Sequence, residues 1–354
     1  MPPRRRKRID PALFALPVDQ IRAGFYSDAY FNSSRTALRA AGRVARVTWQ
    51  LSAKTAGWIG GIDEAVALLK LCSDDFPALE VHALYEGDRV EVWDSVMHVE
   101  GDYASFAHLE TLILGTVARR TRLCTNLRTL VDAARPKPIY YFGARSDHPV
   151  LQPGDGLSAH IAGAASLSTD ALGAYTGKTG VGTVPHALIA AYDGNTVAAT
   201  LAVAAVTPPE VPLIALVDYE NDSVATSLAV ARALDGRLWG VRLDTSEFMV
   251  DRSVVPQMGA FRPTGVNPAL VWNVRNALDA EGFGDVKIVA SGGFTLSRIR
   301  AFEEEGVPVD AYGVGASVHE GRWDFTADVV ALDGRAQSKA GRELRPNPRL
   351  ERVK

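Results

Sequence analysis

Cysteine is scarce: Cys72 and Cys124 are the only two in 354 residues, far apart and outside any paired spacing. That excludes a disulfide framework or a zinc knuckle and fits a reducing, cytoplasmic compartment. The seven histidines are scattered, with no HExxH pair, which removes the commonest helical metal motif. No run approaches eighteen uncharged apolar residues, and the longest, Thr196–Thr207, is Ala-rich and too short to span a bilayer. The basic N-terminus has no apolar segment behind it, so it does not read as a secretory signal. Internal repeats and low-complexity stretches are absent too. What is present is ordinary globular composition, 47% hydrophobic and 22% charged, with length for two domains.

Charge is unevenly placed. The total is -3, yet residues 1–8 carry five basic groups and no acid, and residues 334–354 carry seven against Glu343 and Glu351. Removing the +5 of each end leaves residues 9–333 at -13. A body that acidic repels phosphate backbones at long range, so no nucleic-acid partner is expected, and no membrane partner either. The ends read as solvated basic tails, residues 1–20 and 334–354, rather than as localisation or heparin-type patches.

Between them the texture changes once. In residues 21–137, strand-like Val44–Leu51 and Val90–Val99 mix with helical spacing over Ile62–Cys72 and Phe106–Ala134, which ends at the breaker Arg135-Pro136-Lys137-Pro138. In residues 138–333, short apolar strands alternate with amphipathic helices. The predicted strands are Ile139–Phe142, Leu213–Val217, Leu238–Leu243, Val286–Ala290 and Ala311–Val314. The predicted helices lie near Leu157–Leu172 and over Asp222–Leu234, Pro268–Glu281 and Leu296–Glu305. Such alternation indicates parallel βαβ units, more barrel-like than sandwich-like.

Every one of those strands runs into reactive or glycine-rich residues: Phe142-Gly143-Ala144-Arg145, Asp218, Arg242 with Asp244, Ser291-Gly292-Gly293, and Gly313-Val314-Gly315. Parallel α/β folds bring the carboxyl ends of their strands to one mouth, where ligands bind. The two glycine loops suit an anion held by backbone N–H groups, or make tight turns. Asp218 and Asp244 suit Mg²⁺ on a diphosphate or the hydroxyls of a ribose, with helix capping a further role open to Asp218. Arg242 and Asp244 share one strand face. His186, in Gly182-Thr183-Val184-Pro185-His186, opens an apolar helix whose dipole disfavours its cationic form, as either a nucleophile or a structural residue. Phe142 and Tyr30 are candidates to stack a planar ring, or core residues.

Taken in order, Ser27-Asp28-Ala29-Tyr30-Phe31, Val99–Tyr103, Phe142–Arg145 with His148-Pro149, Gly182–Leu188, Val241–Thr245, Ser291–Gly293 and Gly313–Gly315 resemble the nicotinate phosphoribosyltransferase family. That family has the type II phosphoribosyltransferase fold shared with nicotinamide and quinolinate phosphoribosyltransferases. The resemblance implies an irregular TIM-like α/β barrel with an N-terminal α/β sandwich domain, and a homodimer with shared active sites. It implies that Phe142 and the partner subunit's Tyr30 cover the two faces of a pyridine ring, with Asp28 nearby. It places Arg145, Arg242 and Thr183 against substrate, Asp244 on ribose or Mg²⁺, and Ser291, Gly292, Gly293, Gly313 and Gly315 on the 5-phosphate. His186 matches the histidine that ATP phosphorylates where ATP hydrolysis is coupled to synthesis.

Two positions depart from the family pattern. Ser146 replaces a second basic residue after Arg145, and Ala165 stands where an acid is common. Three readings stay open: ATP-coupled synthesis of nicotinate mononucleotide from nicotinate and phosphoribosyl pyrophosphate in NAD salvage; the same chemistry on another pyridine or azole carboxylate such as quinolinate; and a catalytically silent ligand-binding paralogue.

Overall fold

The alternation read from Pro138 onward resolves into one sheet of six parallel strands. Its order is Ser166–Leu167, Ile139–Tyr141, Ala311–Val314, Lys287–Ala290, Leu238–Leu243, Leu213–Leu216. Strands buried on both faces need unbroken apolar runs, and Leu213–Leu216 and Ala311–Val314 are buried at every position. The computed structural model describes residues 7–259 and 261–353. They fall into two units: one is Asn126–Glu320, and the other joins the chain up to Thr125 to the chain from Gly321 onward.

The six strands form an open barrel, and an irregular segment spans the opening between the edge strands. Val181 donates its N–H to Leu167 O at 2.8 Å, and Val184 donates to Ile214 O at 3.3 Å. Thr183, held between those two anchors, therefore lies at the barrel mouth. Helices return the chain from strand to strand, and side chains at their starts satisfy amides that lack intrahelical acceptors. Asn195 accepts from Ala198, Asp222 from Ala225, Asn267 from Leu270 and Thr295 from Arg298. Each such cap contributes about 1 kcal/mol.

The other unit is built on an antiparallel sheet. Its order is Arg335–Ala336, Phe325–Leu332, Arg46–Ala53, Ser95–Asp102, Glu80–Ala83, Glu351–Arg352. Its core gathers Trp49, Leu51, Met97 and Val99 with Ile62, Leu69, Ile113 and Val117 of the helices Ile62–Cys72 and Glu110–Ala134.

Several assignments differ from the sequence pattern. The helix expected near Leu157–Leu172 is a helix Gln152–Ala162 followed by the strand Ser166–Leu167. Phe325–Leu332, expected within the barrel domain 138–333, pairs with Arg46–Ala53 in the other sheet. The break between units falls inside the Glu110–Ala134 helix rather than at the proline cluster after it. Residues 334–354 are not a solvated tail over their described length. Arg345 N donates to Gln50 Oε1 at 2.7 Å, Asn347 Nδ2 to Ser95 O at 2.7 Å, and Val353 N to Val81 O at 2.8 Å. The segment's +5 is partly offset where it lies: Arg342 pairs with Asp328 at 3.0 Å and Arg349 with Asp94 at 2.9 Å. At the other end Arg8 also packs inward, donating to Asp63, Ala83 O and Leu84 O, while Arg4–Arg6 lie outside the described residues.

Candidate active site

The carboxyl ends of the parallel strands open on a cavity of about 330 Å³ lined by Phe142, Arg145, Thr183, His186, Arg242 and Asp244, with Ser168, Thr169 and Leu216 among the others. Four strand ends and the segment 181–186 deliver those side chains to one space, while Asp218, Ser291, Gly292, Gly293, Gly313 and Gly315, expected at the same mouth, are not among its lining residues.

Arg242 organises it. Its Nε donates to Ser291 Oγ at 2.8 Å, its Nη1 to Thr183 Oγ1 at 3.1 Å, and its Nη2 pairs with Asp244 Oδ1 at 3.0 Å. The guanidinium carbon stands 4.9 Å from the centroid of the Phe142 ring. Ser291, fully buried, closes the network with Asp244 Oδ1 at 2.6 Å and Leu243 O at 3.0 Å. Three acceptors, from two strand ends and the bridging segment, hold one cation in place, which is how a polar network specifies geometry. Arg145, in contrast, is exposed at the cavity and has no hydrogen-bonding or ionic partner among the described residues.

His186 Nε2 lies 3.1 Å from Asp218 Oδ1, and its ring tilts against Tyr219 at 6.3 Å. The capping alternative for Asp218 falls away, because Asp222 caps the Ser223–Leu234 helix. Burial raises the pKa of Asp218; the His186 contact opposes that rise, and the charge of Asp244 adds to it. An acceptor at Nε2 favours the tautomer protonated there, leaving Nδ1 with the lone pair. The charges of Asp218 and Asp244 interact, and two neighbouring carboxylates are a donor set that suits a divalent ion whose remaining ligands come from a substrate. Among the described residues no group of three or more acids, histidines or cysteines is placed to bind a resident metal.

The two glycine loops differ in kind. Gly292 and Gly293 have φ of +86° and +71°, a conformation other residues adopt only with strain. Neither amide meets a protein acceptor among the described residues, and the same holds for Gly315. Gly313 is glycine for another reason: a Cβ there would sit 2.5 Å from the Phe142 ring. It makes room for the ring rather than presenting an anion site. Asp28 and Tyr30 belong to the other unit, at the start of the Ala29–Ala40 helix. Asp28 Oδ2 accepts from Thr111 Oγ1 at 2.8 Å, and the Tyr30 ring is 62% exposed. The cavity lining contains neither of them.

Sequence reasoning missed Arg298, whose Nη1 donates to both glycine carbonyls, Gly292 O at 2.7 Å and Gly293 O at 2.9 Å. A visible signal was its sign: a cation in the first turn of a helix opposes the dipole.

Comparison with known proteins follows the same geography. Residues 28–121 match the model of the quinolinate phosphoribosyl transferase N-terminal domain, and residues 123–328 match its C-terminal domain. The chain is similar to the nicotinate phosphoribosyltransferase pncB1 of Mycobacterium tuberculosis, 29% identical over 259 residues, 71% of this chain and 52% of that one. It is also similar to the nicotinate phosphoribosyltransferase of Bacillus subtilis, 23% identical over 240 residues, 67% and 45% of the two chains. The chain spans about half the length of the curated relatives it matches. The crystal structure of the nicotinate-nucleotide pyrophosphorylase from Pyrococcus furiosus superposes with a TM-score of 0.80 at 29% identity, covering 96% of this chain and 85% of that one. Human nicotinic acid phosphoribosyltransferase shares the fold, with a TM-score of 0.68 at 18% identity over 88% and 76% of the two chains.

Proposed function

The chain belongs to the quinolinate phosphoribosyl transferase family, and we propose that it joins nicotinate to phosphoribosyl pyrophosphate, giving nicotinate mononucleotide and pyrophosphate. The observation that carries this reading is the Arg242–Asp244–Ser291–Thr183 network beside the unpartnered amides of Gly292, Gly293 and Gly315.

The pyridine nitrogen forms a bond to the anomeric carbon as the bond to pyrophosphate breaks, and positive charge builds on the ribose. Such a step needs no strong general base; it needs position and charge stabilisation. Phe142 supplies a flat apolar wall for the ring, and Arg145 supplies a cation for its carboxylate. The amides of Gly292, Gly293 and Gly315 receive the 5-phosphate. Arg242, fixed by three partners, faces the departing pyrophosphate, and Asp244 takes a ribose hydroxyl. Asp218 and Asp244 would hold Mg²⁺, which neutralises the diphosphate when bound. His186 is the acceptor for a phosphoryl group from ATP in a coupled cycle. The same reading makes Tyr30 of the partner subunit, exposed on its helix, the second wall of the pyridine site in a homodimer. Synthesis of this nucleotide would serve NAD salvage.

Quinolinate is the second reading, favoured by the family model's own name. It brings two carboxylates, whereas Arg145 is unpaired and Arg242 is already paired with Asp244. Ser146 stands where a further cation would serve the second carboxylate. One cation for one carboxylate supports nicotinate.

A panel assay separates the readings. With phosphoribosyl pyrophosphate and Mg²⁺, pyrophosphate is released with nicotinate and not with quinolinate or nicotinamide. Release with quinolinate alone, accompanied by carbon dioxide, would move the assignment to the second reading. Release with no base, with or without ATP, would point to a silent binding paralogue.

A further inference from the structure

We propose that Arg298 is a positioning residue that shapes the Ser291–Gly293 loop into a receptor for the 5-phosphate of the phosphoribosyl donor. The inference rests on the phosphoribosyltransferase reading above and adds to it a residue that reaches its ligand only through backbone.

The argument begins with where the guanidinium bonds are spent. Arg298 Nη1 donates to Gly292 O and Gly293 O, and Nη2 donates to Val266 O at 2.7 Å. All three acceptors are carbonyls, and the side chain makes no ion pair among the described residues. Gly292 and Gly293 are successive residues of positive φ, a turn that glycine makes without strain. The Gly292 carbonyl shares its peptide plane with the Gly293 N–H, and the Gly293 carbonyl with the Phe294 N–H, so tying both carbonyls to one rigid fork fixes the direction of those two amides. A Cβ on Gly293 would stand 3.6 Å from Arg298 Nη1, so the fork is seated close under the loop.

The placement is costly on other grounds. Arg298 is the third residue of the Leu296–Glu304 helix, where its own amide donates to the Thr295 cap and the dipole is positive. Burial lowers its pKa, the charge of Arg262 lowers it further, and Glu247 opposes both. Its guanidinium lies 4.3 Å from the Phe294 ring centroid, which shields one face from water. A cation held against a helix dipole and a second arginine, with no bonded acid, is compensated when an anion occupies the amides in front of it. The helix start, the loop amides and Arg298 then act on the same charge.

The test uses Arg298→Met, which keeps length and loses the fork, and Arg298→Lys, which keeps charge but does not hold two carbonyls in the planar geometry. Ribose 5-phosphate and inorganic pyrophosphate serve as separate inhibitors of the full-length protein. Arg298→Met is expected to raise the inhibition constant for ribose 5-phosphate and the KM for phosphoribosyl pyrophosphate about tenfold, the loss of roughly one charge-assisted contact. Inhibition by pyrophosphate stays as in the parent, and Arg298→Lys falls between. Equal weakening of both inhibitors would reduce Arg298 to a general structural role and overturn the proposal, as would unchanged ribose 5-phosphate inhibition in either folded variant. Should Arg298→Met fail to fold, Arg298→Lys carries the same comparison. A parent protein that binds neither inhibitor overturns the phosphoribosyltransferase reading itself, which is a different failure from a parent that binds both and variants that do not discriminate.

Discussion

Arg242→Ala lowers kcat/KM for phosphoribosyl pyrophosphate by about 10²–10³-fold in steady-state kinetics, the scale of removing one donor aimed at developing negative charge. The size follows from what the side chain does at once. It pairs with Asp244, donates to Ser291 and Thr183, and covers the Phe142 ring. Truncation leaves Asp244, a quarter of its side chain exposed, with the Ser291 hydroxyl as its one remaining side-chain partner among the described residues. It also frees Thr183, which sits in the segment bridging the barrel opening. Arg242→Lys restores a charge but not the fork and recovers only a fraction. Kinetics unchanged in Arg242→Ala would remove this network from the reaction.

In the proposed ATP-coupled cycle, His186→Ala is expected to abolish stimulation by ATP, so that rates with and without ATP become equal, while a basal rate of nucleotide synthesis remains. The geometry behind this is the 3.1 Å contact between His186 Nε2 and Asp218 Oδ1, which holds the ring while its other nitrogen is presented. Asp218→Asn reduces the same stimulation without removing the imidazole. The pH dependence has a definite sign. Burial raises the pKa of Asp218, so as pH falls the carboxylate is lost earlier than an ordinary one. ATP stimulation in the parent accordingly declines on the acid side at a higher pH than an unperturbed aspartate would dictate, and in Asp218→Asn that acid limb is absent. Full ATP stimulation in His186→Ala would take the histidine out of the coupled cycle.

Much of the scaffold was readable before any coordinates, for a physical reason. Ala311–Val314 is buried at every position and Leu238–Leu243 at four of six, so short aliphatic runs of this kind mark the strands in the sequence itself. The start of the Ser223–Leu234 helix is legible in Asp222, whose side chain accepts from the Ala225 amide. The clustering of Phe142, Arg242, Asp244 and Ser291 followed from parallel topology alone.

What escaped was set by tertiary contacts without local periodicity. Val181 and Val184 bridge two edge strands through backbone bonds, which no side-chain pattern announces. The C-terminal arm looked like a tail because its cations were counted without their distant partners, Asp328 and Asp94. Gly313 looked like part of an anion loop, yet its missing Cβ serves the Phe142 ring. Arg298 was legible only as an anomaly, a cation where the dipole asks for an acid. The acidic body is compatible with an anionic substrate because the site relies on aimed groups, Arg145, Arg242 and loop amides, instead of a broad positive field.

The most direct measurement is a crystal structure of the protein with nicotinate mononucleotide bound. The account predicts the pyridine ring against Phe142 with its carboxylate at Arg145, the ribose at Asp244, and the 5-phosphate on the amides of Gly292, Gly293 and Gly315. A nucleotide bound with its phosphate away from those amides, or outside the mouth of the parallel sheet, would contradict it.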